Sequence, residues 1–536
     1  MNNIGLTKQK LCGFILLIFL SLFPSSCDKG FEEMNKNPNA YTEPVLGSMF
    51  SAALIRHAGT GDNNALDPNA KQAGCWVQYF ASMQPVEWYS EKYLWRQGYY
   101  DRFFSAVYST ELKEVMILMD KTKNNPDLVN LYNIARIHKV SIIHRCTDMY
   151  GDVPYTEAGL GALEGIYTPK YDRQADIYAD MLKELEEAAK ALDGTKTSFG
   201  NADFVYKGDV TKWRTRAYSL MLRLGMRLTK VNPTMAETWV KKAIAGGVFQ
   251  SNADMPMLAH TSANSTTWNV PARLIQTQEG VPVSLRGKTL VKINKTFCDY
   301  LLSTNDPRIP FYMTLWQGNA NVAQLGTYSN PAIQKGLPGG QDQTTMKDII
   351  PDWTDEMRPE FSEPNIHTML HLEAPTVYQS YAEIELLLAE AALRGWGPGT
   401  AKEHYEKAVL ASMLQQTLYP NGPTVAAATA MANSYLSANP YIENGFDSEM
   451  KQIHMQFWVS LYMDTWGLIE SFSNWRRTGH PELTGYNYPG NETGGIIPRR
   501  SRYSAAEFTV NTENVEAAVA VQGADLFTTR VWWDKE

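Results

Sequence analysis

Helical periodicity constrains this chain more than any other feature of its sequence. From Gln174 to Leu192 the apolar residues Ile177, Met181, Leu182, Leu185, Ala188, Ala189 and Leu192 recur at steps of three and four. That spacing places them on one face of a 3.6-residue helix, and Asp, Glu and Lys fill the other face. Trp213 to Leu228 repeats the pattern with Ala217, Leu220, Met221, Leu224 and Leu228. Tyr378 to Leu393 is apolar nearly all round, which predicts a buried helix. Gly395 and Pro398 stop it, and Ala401 to Met413 begins a partner helix after a short turn. Small residues (Ala389, Ala391, Ala392 and Ala408) let the two backbones approach closely, as in a tetratricopeptide hairpin. Further helices are expected over 46–57, 70–82, 102–121, 128–149, 235–245 and 451–470. No strict repeat period is visible, so the tetratricopeptide reading rests on hairpin character. The expected fold is mainly α.

Between about 251 and 375 the character changes. Pro, Gly, Asn and Thr accumulate, and "QGNANVAQLGTYSNPAIQKGLPGGQDQ" has no helical period. Disordered segments are poor in aromatics, and this one carries Trp268, Trp316 and Trp353. We expect an ordered, loop-rich layer on the helical scaffold.

The first 26 residues read as a secretory signal. Lys8 and Lys10 supply the positive region, and the apolar run Leu11–Phe23 is shorter than the ~20 residues of a bilayer-spanning helix. Ser25-Ser26-Cys27 then presents small residues before a cysteine, the pattern of a lipoprotein processing site with Cys27 as the lipidated residue. Residues 28–44 are polar, rich in Asn and without apolar period, so 27–45 is expected to be a tether and 46–536 one folded domain. Cys75, Cys146 and Cys298 are far apart and odd in number, which argues for buried free thiols over a disulfide framework.

The chain carries 49 Lys and Arg against 57 Asp and Glu, a net charge of −8. With no basic run, it is a poor candidate for phosphate backbones. No nucleophile elbow, zinc-protease, Walker or dinucleotide glycine pattern occurs in a credible context. His367, His371 and Glu373 are the nearest approach to a metal set, but Pro364 and Pro375 flank them and a structural role is expected. Asp148 and Asp152 in "TDMYGDVPY" are expected to form a turn by bonding local amides, and "DPRIP" at Asp306–Pro310 reads as another turn, with Arg308 available for a carboxylate. No catalytic residue, metal or cofactor is assigned.

Several stretches together resemble the SusD/RagB family, in its SusD-like branch. They are Phe31–Asn39 with its Asn-Pro-Asn, "DMYGDVPYTEA", "YDRQADIYADMLKELEEA", "GDVTKWRTRAYSLMLRLGMR", the pair Tyr381–Met413, "NWRRTGHPEL", "IPRRSRY" and the terminal "RVWWDK". They run in family order through the whole mature chain. The resemblance implies tetratricopeptide-like hairpins in one α-α superhelical scaffold, cradling long irregular ligand-binding segments. It further implies an outer-membrane lipoprotein that faces the exterior, binds a nutrient without catalysis and passes it to a SusC-like TonB-dependent β-barrel transporter.

Family ligand contacts vary, so candidate site residues come from chemistry and position. Trp88, Tyr89, Tyr93 and Trp95 crowd "PVEWYSEKYLW" after Pro85, suiting an exposed recognition loop. Trp268, Trp316 and Trp353 are second candidates. Trp213, Trp475, Trp532 and Trp533 belong to family stretches and are expected to be structural, with Arg476 and Arg477 as a buried polar anchor. Oligosaccharide is the expected cargo, because a flat ring covers the apolar C–H face of a sugar. Peptide cargo in the same role, or a surface glycosidase, are the alternatives.

Overall fold

The computed structural model describes residues 45–59, 62–83, 90–277, 291–315, 328–462 and 466–536. The signal, Cys27 and the tether up to residue 44 lie outside the described residues. Labelling α-helices of eight residues or more, the chain runs α1 (Leu46–Ala58), then, after a π-helix over Asp62–Ala73, α2 (Gln97–Ala106), α3 (Leu112–Thr122), α4 (Val129–Tyr150), α5 (Gln174–Ala191), α6 (Val210–Arg227) and α7 (Pro233–Gly246). The insert holds α8 (Val270–Thr277) and α9 (Lys295–Ser303). Then follow α10 (Tyr381–Leu393), α11 (Ala401–Gln415), α12 (Val425–Ala438), α13 (Phe446–Leu461), α14 (Gly467–Thr478) and α15 (Thr512–Gln522). Two expectations are corrected. The helix expected over 70–82 ends at Trp76, and Phe80–Ser82 is a strand. The helix expected over 451–470 is two helices, α13 and α14.

Successive helices pack on one another: α3 on α4, α5 on α4 and α6, α7 on α6, and α11 on α10 and α12. This is the hairpin stacking of a tetratricopeptide-like scaffold. The apolar stripes explain it, since Ile177, Met181, Leu182 and Leu185 of α5 and Leu220, Met221 and Leu224 of α6 are fully buried. At the α10–α11 turn, Thr400 and Glu403 form a reciprocal cap: Glu403 N–H donates to Thr400 Oγ1 at 3.2 Å and Thr400 N–H to Glu403 Oε2 at 3.0 Å.

The polar faces, however, are not all solvated. Arg223 of α6 donates twice to Glu383 of α10, both at 2.6 Å. One helical turn later Arg227 reaches Glu470 of α14 at 2.5 Å and Asp148 of α4 at 3.3 Å. Asp148 also accepts from Tyr178 and, at 3.0 Å, from Trp533 Nε1. Arg477 of α14 grips Glu390 of α10 at 2.7 and 2.6 Å. All these side chains are buried. Asp148 is therefore an ion-pair hub and not a turn former. Asp152 likewise bonds a distant amide, Gln174 N–H at 2.8 Å. Arg308 does find a carboxylate, Asp306 of its own turn, at 2.8 and 2.5 Å. Cys75, Cys146 and Cys298 are free and buried.

His454 of α13 lies 3.0 Å from Glu390. Asn474 Oδ1 accepts from Arg477, so its amide N donates to His454 Nδ1 and the ring proton sits on Nε2, facing Glu390. Burial lowers the His454 pKa to about 4, against the pull of Glu390. Burial alone would raise Glu390, but Arg477 holds it well below the usual range.

Two outcomes follow. Replacing Glu390 by Gln leaves Arg477 buried without its counter-ion and should cost about 3 kcal/mol in urea unfolding, whereas removing the exposed Lys190 should leave the midpoint unchanged. Because the folded His454 pKa lies below its unfolded value, its contribution is present above about pH 6.5 and lost as pH falls toward 4. That loss amounts to about 3 kcal/mol, and unfolding of His454→Gln at several pH values should show a shallower acid limb.

Candidate functional site

Strands of two or three residues pair in twos; β2 (Val153–Pro154) pairs with β3 (Tyr171–Asp172) within the scaffold, and other pairs tie the insert to it. β1 (Phe80–Ser82) runs antiparallel to β5 (Val291–Ile293), with Ser82 opposite Val291. β6 (Met313–Thr314) pairs with β7 (Glu363–Pro364). Ile293 N–H donates to Ser362 O at 2.8 Å, joining the two ladders, and the buried Lys292 and Glu363 pair at 2.5 Å. Leu315 N–H donates to Tyr328 O at 2.9 Å. The described residues that flank 84–89 and 316–327, together with Val291 after 278–290, therefore lie on one platform. Helices α13 and α14 hold it from behind, through Trp458 Nε1 to Val77 O at 3.0 Å and Tyr79 to Ser471 at 2.6 Å.

Trp88, Tyr89 and Trp316 lie outside the described residues. The remainder of the aromatic loop is partly internal. Glu91 accepts Ser82 N–H with both oxygens at 2.9 Å, and Lys92 donates to Ser82 O and to Glu91, also at 2.9 Å. Burial raises the Glu91 pKa, and Lys92 opposes the rise. Tyr93 is corrected as a contact residue: it is fully buried with φ of +54°, and its ring stacks 6.4 Å from Tyr486. Trp353 is corrected too, because it is buried in an apolar cluster with Met83, Leu337, Met346 and Phe361.

Trp95 remains at the rim, half-buried. Its N–H donates to Glu492 Oε1 at 2.9 Å, and the Arg502 guanidinium lies 4.6 Å from its ring centroid. Arg502 in turn pairs with Glu492 at 3.2 Å. The Trp95 indole N–H has no acceptor among the described residues. Trp268, also half-buried with an unpartnered indole N–H, belongs to a different ladder. It follows β4 (Met257–Leu258), which pairs with β8 (Thr376–Val377), and leads into α8.

Residues 484–502 were missed by sequence reasoning as site material. There Tyr486 bonds Asn294 at 2.8 Å, and Tyr488 donates to Asp342 at 2.7 Å, with burial and then Asp342 pushing the phenol up to about 12. The signal was present as tyrosines in a Gly-, Asn- and Pro-rich stretch, "GYNYPGNETGG". Four carboxylates here are already engaged: Glu91 with Lys92, Glu363 with Lys292, Glu492 with Arg502, and Asp342 with Tyr488. At the second ladder Glu373 accepts from Ser262 at 3.0 Å and its N–H donates to His371 Nδ1 at 3.1 Å. The arrangement suits contact and hydrogen bonding.

A family model described as "Starch-binding associating with outer membrane", SusD-like, matches residues 38–504. The chain belongs to the SusD-like family. No curated protein matches it. Among solved structures it is similar to a chitin-binding protein at 29% identity and a TM-score of 0.76, with 92% of this chain and 100% of that one covered. It is similar to a Bacteroidetes SusD-like protein at 24% identity and a TM-score of 0.78, with 92% and 100% covered. A chitin-binding SusD homologue from Flavobacterium johnsoniae matches at 23% identity and a TM-score of 0.73, with 92% and 99% covered. The last two support the fold. No described helix of this SusD-like chain is long and apolar enough to cross a membrane.

Glu492 clamps Trp95 and Arg502 at the surface. Glu492→Ala should shift Trp emission and speed proteolysis near Trp95, while the unfolding midpoint changes little because the pair is exposed.

Proposed function

We propose that this chain is a surface-exposed lipoprotein, anchored through Cys27, that captures oligosaccharide without turning it over and delivers it to a partner SusC-like TonB-dependent transporter. The observation that carries this reading is the near full-length likeness, at 29% identity, to a protein described as chitin-binding. The rim supports it: Trp95 offers a half-exposed ring beside Arg502, on a platform whose residues flank the segments carrying Trp88, Tyr89 and Trp316. A ring of this kind takes the apolar face of a sugar, and polar neighbours fix its hydroxyls.

The test uses soluble protein starting at Asp28, screened against glycan and peptide panels by Trp fluorescence with product analysis. The expected result is binding of a glycan without new reducing ends, weakened about tenfold or more by Trp88→Ala. Selective peptide binding would change the cargo, and turnover would overturn the capture role.

A further inference from the structure

The last residues of the chain wall a second cleft, built from elements other than the β1–β5 platform. Its volume is about 470 Å³, within the range of small-ligand sites. The start of α5 and the end of α15 form the other walls, and Asp152 lies between them. Gly151, at φ of +89°, ends α4, and a Cβ there would meet the Gln522 side chain at 1.9 Å. Glycine thus lets Gln522 close in. Its Oε1 accepts Asp152 N–H at 2.6 Å, and its Nε2 donates to Tyr150 O at 3.0 Å and Tyr503 at 3.1 Å. The floor is held in place before any ligand arrives.

Several groups in this cleft have capacity to spare. Trp532, expected to be structural, is half-buried and lines the cleft, whereas Trp533 beside it is fully buried. Asp152 gives one oxygen to Gln174 N–H, and its other oxygen takes no donor among the described residues. Gln174 Oε1, on a fully buried side chain of the cleft wall, has no donor either. Arg173 is exposed and forms no ion pair among the described residues. The lining cations Arg173, Arg530 and Lys535 are matched by the carboxylates of Asp152, Asp534 and Glu536, so the charge selects for a neutral ligand. A sugar hydroxyl both donates and accepts, which suits a carboxylate beside a guanidinium, and an indole face takes the C–H side of the ring.

We propose that this cleft is a second saccharide-binding site, with Trp532 as the stacking surface and Asp152 and Arg173 as the hydroxyl partners. The proposal rests on the reading that the chain binds oligosaccharide. Calorimetric titration of the chain starting at Asp28 with chito- and malto-oligosaccharides tests it. Two classes of site are expected: one lost in Trp88→Ala, the other about tenfold weaker in Trp532→Ala and in Arg173→Ala. Trp532→Phe should restore most of the second class, and exposed Arg173 guards against a folding defect at Trp532. A single class, lost in Trp88→Ala and indifferent to Trp532 and Arg173, would overturn the second site and leave capture at the platform standing. No saccharide binding at all would overturn both.

Discussion

The architecture depends on charges held inside the helical stack. Arg223 and Arg227 of α6 reach Glu383 of α10, Glu470 of α14 and Asp148 of α4, so one helix is tied to three others. Arg477 and Glu390 tie α14 to α10 again. Removing such charges from water is costly, and the cost is offset only where each partner is met at close range. A slip of one helix against its neighbour would strand a buried charge. Apolar stripes can tolerate small slides, whereas these pairs accept one register, and we infer that they specify how the hairpins stack.

That register reaches the platform through few links. α13 and α14 carry Trp458 and Ser471, which hold Val77 and Tyr79 just before β1. β1 then sets β5, and Ile293 to Ser362 sets the β6–β7 ladder. An insert with little regular structure can therefore present side chains in fixed places, because its ends are bonded to a stiff scaffold. Loops positioned in this way commonly carry binding residues.

The helices were legible because period and burial coincide: Ile177, Met181, Leu182 and Leu185 were read as one face and are buried together. The buried arginines of α6 were not legible. A charged residue on the polar side of an amphipathic pattern looks the same whether water or a distant Glu faces it, and Glu383 lies 160 positions from Arg223. The strand at Phe80–Ser82 was missed for a related reason. Its partner, Val291–Ile293, is remote in sequence, and a three-residue run shows no period. Of the site, the aromatic cluster was legible as a cluster, but composition could not sort Trp95 at the rim from Tyr93 in the core.

The indole N–H does sort much of it. Trp76 donates to Ser90 O, Trp213 to Asp203, Trp458 to Val77 O and Trp533 to Asp148. Each of these rings is buried, and each spends its one polar atom on the fold. Trp95 and Trp268 are half-buried and tie that donor to no described residue, but the N–H itself is buried, so the ring face is what they offer. Trp353 shows the limit of the rule, since its N–H is unpaired inside an apolar cluster and no ligand can reach a ring so enclosed. A tryptophan available for recognition needs an exposed face and a ring that the fold does not tie down. Residue type supplies neither, which is why tryptophans alike in sequence divide between the core of this protein and its surface.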